Sequence, residues 1–356
     1  MKLAFAKFAG LASGGVEKYL QTIAIIMKNA GHDVDYYYTN AAPITTTSWV
    51  HPDNDEKRKK LMEENDINLI YVNVHHRENN TWVGDDFFEK FNEDDYDFLI
   101  TAGNGEPEYP YVNLKNIKII HTVHGWHPFD QDNIVKSVLI SEWQSEKWIA
   151  NGGNKDKLEI IPGVVLVPEK QESTVRKELN IPEEDFVYGL HQRNDEGITS
   201  LVSLQAFSMI DRPDVHFILL GGSNRHRQYA NTLQNKNIHF LEHTSNVDRL
   251  HDFLGSLDVY AHARIDGEVC SACITEAMYH GTPVITHPGL NMGHLEQIKG
   301  GGKMCSSVNE YYEEMLRLKD DKDYYNDKST KITERYESVY KFESVRDKLL
   351  NMLNLL

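Results

Sequence analysis

Cysteine is scarce, with three in 356 residues. That is too few for a disulfide framework and points to a reducing compartment. Cys270 and Cys273 form a C-x-x-C, but no second pair and no helix-borne histidine pair accompanies it, so the sequence gives no reason to expect a metal or redox centre. Long apolar runs are missing as well. Nothing approaches the roughly 18 residues of a membrane span, and the opening Met1-Lys2-Leu3-Ala4-Phe5-Ala6 meets Lys7 too soon for a signal peptide. Positive charge is in deficit, 37 Lys and Arg against 54 Asp and Glu, for a net charge of −17. Such a surface disfavours nucleic acid and anionic membranes unless cations gather on one face. A G-x-G-x-x-G is absent, which argues against a dinucleotide cofactor. The expectation is a soluble, cytoplasmic protein of unspecified oligomeric state.

What is present is a repeated alternation of short apolar runs with helical patterns. Strands are expected at Lys2–Phe8, Asp33–Tyr38, Ile67–Val72, Phe98–Thr101, Ile117–His121, Ser137–Ile140 and Leu158–Ile161. Helices are expected at Val16–Asn29, from the spacing of Leu20, Ile23, Ala24 and Met27, and at Glu142–Asn151. After Pro162-Gly163 and the polar stretch Pro168–Ser173 the pattern restarts. Strands Phe186–Leu190, Val215–Leu220, Ile238–Leu241, Leu257–Ala261 and Pro283–Thr286 alternate with helices Ile198–Met209, Arg225–Leu233, Val247–Leu254 and Ser271–His280. Alternating units of this length give an α/β fold, two tandem doubly wound Rossmann-like domains, with ligands at the carboxyl ends of the strands. The boundaries read as 1–165, 166–335 and a C-terminal helix 336–356, apolar on one face through Val345, Leu349, Met352, Leu353 and Leu356. Thr45–Lys60 reads as a polar loop.

The chemistry concentrates in a few segments. Asp266-Gly267-Glu268-Val269-Cys270-Ser271-Ala272-Cys273-Ile274-Thr275-Glu276 sets two carboxylates eight positions apart across a loop-to-helix junction. A helix N-terminus flanked by acceptors suits a phosphate and its attached sugars. Gly10-Leu11-Ala12-Ser13-Gly14-Gly15-Val16-Glu17 places glycines at another helix start, where the backbone approaches an anion closely. His121, His124 and His127 follow one strand. His124 is best placed to point into the cleft, His121 to be structural, and no carboxylate converges on them to complete a metal site. In Tyr188-Gly189-Leu190-His191-Gln192-Arg193-Asn194-Asp195-Glu196-Gly197, Arg193 offers a fork to a diphosphate. Gly221-Gly222 reads as a tight turn. Asp33-Val34-Asp35 opens a strand and is set aside as a metal motif.

In this order the segments resemble the GT-B glycosyltransferases, in particular the retaining glycosyltransferase family 4, over nearly the whole chain. Gly14-Gly15-Val16-Glu17 is similar to that family's glycine loop, Thr122-Val123-His124-Gly125 to its first-domain histidine motif, and Ser141-Glu142-Trp143-Gln144 with Ile160-Ile161-Pro162-Gly163-Val164 to its last segment before the linker. Glu268 and Glu276 with Gly281-Thr282-Pro283-Val284 match its E-x7-E signature. The resemblance implies two domains facing across a cleft, an acceptor-binding first domain, a nucleotide-sugar-binding second domain, and a C-terminal helix packing back on the first. It implies a hexosyltransferase-type enzyme with a nucleotide-diphosphate sugar as co-substrate, no cofactor and no metal. Its acceptor would be a glycan or a lipid-linked glycan. Glu268 would hold donor-sugar hydroxyls, Glu276 the ribose diol, and the amides of Cys270, Ser271 and Ala272 the sugar or diphosphate. Gly14 and Gly15 would meet the diphosphate and His124 the reacting centre. The chain departs from the family at Cys270-Ser271, where Phe-Gly is usual, and at Glu196, where a lysine is usual. A nucleotide-sugar 2-epimerase of the same fold, a non-catalytic nucleotide-sugar binder, and a transferase acting on viral DNA are the alternatives. Tyr109 and Tyr111 would stack on an acceptor sugar or simply pack their loop.

Overall fold

The fold comes from a computed structural model that describes residues 1–7, 10–12, 14–39, 52–78, 81–84, 86–107, 110–233 and 235–356. The chain divides into two compact units, residues 1–165 with 342–356, and residues 166–341.

The first unit is built on a seven-stranded parallel sheet. Its strands are β1 (Lys2–Ala6), β2 (Asp33–Tyr38), β3 (Asn68–Tyr71), β4 (Phe98–Gly103), β5 (Ile119–Val123), β6 (Ile134–Leu139) and β7 (Leu158–Ile160), in the order β3-β2-β1-β4-β5-β6-β7. The central strands are buried from end to end, as their unbroken apolar runs require in a sheet covered on both faces. The second unit repeats the plan with β8 (Phe186–Gln192), β9 (Val215–Gly221), β10 (Ile238–Leu241), β11 (Val259–Ala261), β12 (Val284–Thr286) and β13 (Gly302–Met304), in the order β10-β9-β8-β11-β12-β13. Tyr188, Phe217, Phe253, Tyr260, Ile274 and Tyr311 belong to one continuous core there. Both sheets therefore follow the Rossmann 3-2-1-4-5-6 order, the first with a seventh strand added at its edge, and each reverses direction once, between β1 and β4 and between β8 and β11. At such a switch point the loops leaving the strands diverge and open a crevice for a ligand.

Several elements differ from the sequence expectation. Residues Pro52–Glu64 form a helix that starts inside the stretch expected to be a loop and runs past its end. Its composition is almost wholly polar, so no apolar stripe announces it; residues 45–51 of that stretch lie outside the described residues. An antiparallel pair, Val74–Glu78 with Thr81–Gly84, and the glycine-bearing edge strand β13 were not anticipated. The helix expected at Ile198–Met209 is a 3-10 turn, Glu196–Ile198, followed after a break by Val202–Phe207. At the C-terminus, Tyr336–Tyr340 forms a π-helical turn that stays with the second unit. Extended Lys341 then breaks the helix, and Phe342–Asn354 packs with the helix Gly15–Asn29 in the first unit through a buried face of Val345, Leu349, Met352 and Leu353. Tyr111 is fully buried, edge-on to Phe87 at 5.1 Å, so it packs its loop; Tyr109 lies outside the described residues.

Candidate functional site

In the second unit the site residues gather on the loops leaving β8 and β11. The chain after β11 runs through Arg264 to a two-residue strand, Gly267–Glu268, paired in parallel with Asn291–Met292. Gly267 has φ +63°, and a Cβ there would lie 2.0 Å from the Asn291 carbonyl oxygen, so only glycine fits this crossing. It delivers Glu268 to a largely buried position. There the Arg264 guanidinium donates to Glu268 Oε1 at 2.8 Å and grips Asp266 bidentately at 2.6 and 2.8 Å. Burial pushes the Glu268 carboxyl above the usual range, and the adjacent Arg264 charge opposes that rise. Arg264 thus holds two carboxylates at once.

The helix Ala272–Tyr279 starts at Ser271, whose hydroxyl accepts from the Ile274 amide at 3.4 Å. The fully buried Gln297 completes the cap. Its Oε1 accepts the Ser271 amide at 2.5 Å, and its Nε2 donates to the Ser271 carbonyl and Thr275 Oγ1, both at 3.0 Å. This corrects one expectation, because the Ser271 amide already has a partner and does not present itself to a diphosphate. The first-turn amides that helix geometry leaves without an intrahelical acceptor are those of Ala272 and Cys273. The Cys270 side chain packs against the apolar core.

One helical turn further, Glu276 Oε2 lies 3.2 Å from Nε2 of His191, which projects from β8. Burial alone would push the His191 imidazole down. The Cys273 sulfur and the Glu276 carboxylate beside it outweigh that and raise its pKa to about 10. Arg193, by contrast, is half exposed and held by Asp195 through Nε and Nη2 at 3.1 and 2.9 Å. Glu196 is exposed and accepts from the Arg225 amide at 3.3 Å.

In the first unit the glycine loop follows β1. Gly14 caps the helix Gly15–Asn29 in extended conformation. A Cβ added at Gly15 would meet nothing within 4 Å, so packing does not demand glycine there. The loop's carbonyls are anchored from below. The fully buried Gln21 donates to the Gly10 and Ala12 carbonyls, Tyr36 Oη donates to Gly10, and Arg58 holds Gln21 in turn. Lys7 and Glu17 form a buried ion pair at 3.5 Å beside it.

His124 leaves β5 with its amide on the Gly103 carbonyl at 2.9 Å and its ring edge-on to Tyr19 at 5.3 Å. Its Nε2 is sealed from solvent and has no partner among the described residues. Burial, reinforced by the Lys7 charge and by His121, pushes it down to about 3, so the ring is neutral at physiological pH. The fully buried Gln144 fixes the chain on either side, donating to the Val123 and Gly125 carbonyls at 2.7 and 2.6 Å and accepting from Ile140 at 2.8 Å. His121 is fully buried and donates from Nε2 to the Gly105 carbonyl at 2.7 Å, a structural role. Asp35 of the D-x-D accepts from Tyr96 and Asn68 at 2.6 and 2.8 Å and is likewise structural.

Comparison with known proteins bears on the second unit and on the fold. Residues 186–321 match the family model described as glycosyl transferases group 1. No curated protein matches the sequence. Among solved structures, Anabaena HepE in complex with UDP is 15% identical at a TM-score of 0.73, with 100% of both chains covered, and the same protein has been solved with UDP-glucose. A glycosyltransferase from Rickettsia africae is 17% identical at a TM-score of 0.73, covering 99% of this chain and 97% of that one. Sucrose-phosphate synthase from Thermosynechococcus elongatus is 15% identical at 0.71, covering 99% and 98%. No helix among the described residues is long and apolar enough to cross a membrane. The chain is accordingly a glycosyltransferase of the GT-B fold, with the group 1 glycosyl transferase domain in its second unit.

Proposed function

We propose that this enzyme transfers a hexosyl unit from a UDP-sugar to a hydroxyl of a glycan or lipid-linked acceptor, with retention at the anomeric carbon and without a catalytic metal. The observation that carries the reading is the placement of Glu268 and Glu276 on either side of the start of helix Ala272–Tyr279, beside the switch point of the second sheet. In this proposal Glu276 accepts from the ribose diol, Glu268 from donor-sugar hydroxyls, and the amides of Cys270 and Ala272 meet the sugar or diphosphate. Arg193 joins them by exchanging Asp195 for phosphate oxygens. Gly14 and Gly15 admit the diphosphate closely, which the open space around Gly15 supports. Neutral His124 lies near the reacting centre and positions the donor sugar or acceptor. UDP is favoured over other nucleotides because HepE was solved with it.

In the reaction, the bond from the anomeric carbon to the diphosphate oxygen breaks as the acceptor oxygen bonds to the same face. The departing diphosphate takes the acceptor's proton, so no carboxylate nucleophile is needed. Stabilisation of the developing diphosphate charge falls to helix-start amides and Arg193. The pairing of Arg193 with Asp195 and the glutamate at position 196 favour the second reading, a non-catalytic nucleotide-sugar binder. Incubation with UDP-, GDP- and ADP-sugars, with and without EDTA, decides between them. Released UDP and free sugar, insensitive to EDTA, support the transferase. Isomerised sugar identifies a 2-epimerase, and tight binding with no turnover the binder.

A further inference from the structure

His191, Cys273 and Glu276 bring three different metal-ligating atoms together, Nε2, Sγ and a carboxylate oxygen, all within 4.8 Å of one another. They come from two elements, β8 and the helix Ala272–Tyr279, whose positions the core fixes. A tetrahedral ion with metal–sulfur bonds of about 2.3 Å and metal–nitrogen and metal–oxygen bonds of about 2.0–2.2 Å spaces its ligands roughly 3.3–3.6 Å apart. The 3.2 Å between His191 Nε2 and Glu276 Oε2 is already that close, and the Cys273 sulfur lies within 4.8 Å of both.

The surroundings also orient the imidazole as a ligand needs. Tyr260 Oη lies 3.4 Å from the His191 carbonyl oxygen and 3.3 Å from Nδ1. Donating its own proton to the carbonyl, the phenol accepts the Nδ1 proton, which leaves the Nε2 lone pair directed at Cys273 and Glu276. A neighbour that fixes the tautomer in this way is a regular companion of ligating histidines.

We infer that His191, Cys273 and Glu276 form a binding site for a divalent zinc-class cation, whose occupation takes Glu276 away from the nucleotide. One thiolate, one imidazole and one carboxylate suit zinc over magnesium or calcium, which favour all-oxygen sets. Three protein ligands leave a fourth position for water. Thiolate, imidazole and carboxylate bind the ion only in their deprotonated forms, so binding strengthens as pH rises. The exclusion of nucleotide rests on the proposed role of Glu276 at the ribose; the cation site does not. The ion takes no part in sugar transfer, in keeping with a metal-independent reaction.

The test uses the full chain, reduced and stripped of metal, titrated with cobalt. One equivalent produces a thiolate-to-cobalt charge-transfer band and the visible bands of a tetrahedral ion, both removed by zinc. Cys273→Ser, nearly isosteric, abolishes the charge-transfer band, and His191→Gln weakens binding at least tenfold. Cys305→Ala, at a buried cysteine elsewhere in the unit, retains the band. In parallel, one equivalent of zinc weakens UDP binding at least tenfold in the parent and not in Cys273→Ser. Absence of the band, or a band that survives Cys273→Ser, overturns the cation site whatever UDP does. A normal band with UDP affinity untouched by zinc overturns the exclusion and with it the ribose role of Glu276.

Discussion

Each unit presents a histidine at the C-terminal end of its sheet, and the two are opposites. His124 is held against Tyr19 with an unpartnered nitrogen and is neutral, pushed down to about 3. His191 lies beside a carboxylate and a thiol and is protonated, raised to about 10. Both are largely buried, so burial alone does not decide the charge of a histidine; the partners it is buried with do. The first unit offers a neutral imidazole set edge-on to Tyr19. The second offers charges that are already compensated, Arg264 by Asp266 and Glu268, and His191 by Glu276. A ligand entering the second site exchanges partners, whereas one entering the first supplies a missing partner.

The sharpest way to break the second unit's arrangement is to remove its cation. Arg264→Ala leaves Asp266 and Glu268 together without a countercharge, Glu268 being largely buried. The expected loss is about 3 kcal/mol of unfolding free energy, read as a lower urea midpoint, and transfer activity should fall with it. Next come the two glutamates. Glu276→Ala should weaken UDP binding about 10- to 100-fold, the worth of hydrogen bonds to a charged group. Glu268→Ala should instead lower kcat, on the order of 100-fold, with UDP affinity nearly intact. Calorimetric titration and initial rates on the same preparations separate the two, and unchanged activity in both variants sinks the donor-site assignment.

Two buried glutamines extend the comparison at smaller effect. Gln144→Leu strands the Val123 and Gly125 carbonyls around His124, and Gln297→Leu strands the amide and carbonyl of Ser271. Each should cost about 2 kcal/mol. Gln144→Leu should also lower kcat without changing UDP affinity, while Gln297→Leu should weaken UDP binding through the displaced helix start. Equal loss of both functions in both variants would mean that the glutamines serve stability alone.

These clamps show where the sequence was legible and where it was not. Strands and helices of both units were readable because their apolar runs and helical spacing are strong, and β1, β2, β8 and β9 formed close to their expected positions. Motif spacing put Glu268 and Glu276 across the start of one helix, and the structure has that helix at Ala272–Tyr279. Gln21, Gln144 and Gln297 could not be foreseen. Glutamine is ordinarily a surface residue, and its value here lies in pairing with backbone groups distant in sequence. Gln144 in the Ser141-Glu142-Trp143-Gln144 segment was the only one with a signal, since it stood inside a recognised motif. The grouping of His191 with Cys273 was likewise invisible. It joins residues 82 positions apart through the pairing of β8 with β11 and the helix that follows.

The protonation contrast itself yields the mildest and most diagnostic test, because the two histidines act on opposite limbs of the stability profile. For His124 and His121 the folded pKa values, about 3 and about 4, lie below the ordinary 6.5. The unfolded chain therefore binds more protons between those limits, and stability falls as pH drops below 6.5 toward 3, by up to about 1.4 kcal/mol per pH unit for each histidine. For His191 the folded value is raised to about 10. Its contribution is fully present below 6.5 and is lost as pH climbs from 6.5 toward 10. Urea midpoints at pH 5, 7 and 9, with chelator present, should then show His124→Gln flattening the decline from pH 7 to 5 and leaving the alkaline limb alone. His191→Gln should do the reverse. A parent-like acid limb in His124→Gln would mean that its imidazole is already charged in the folded protein, and that the two histidines are not opposites.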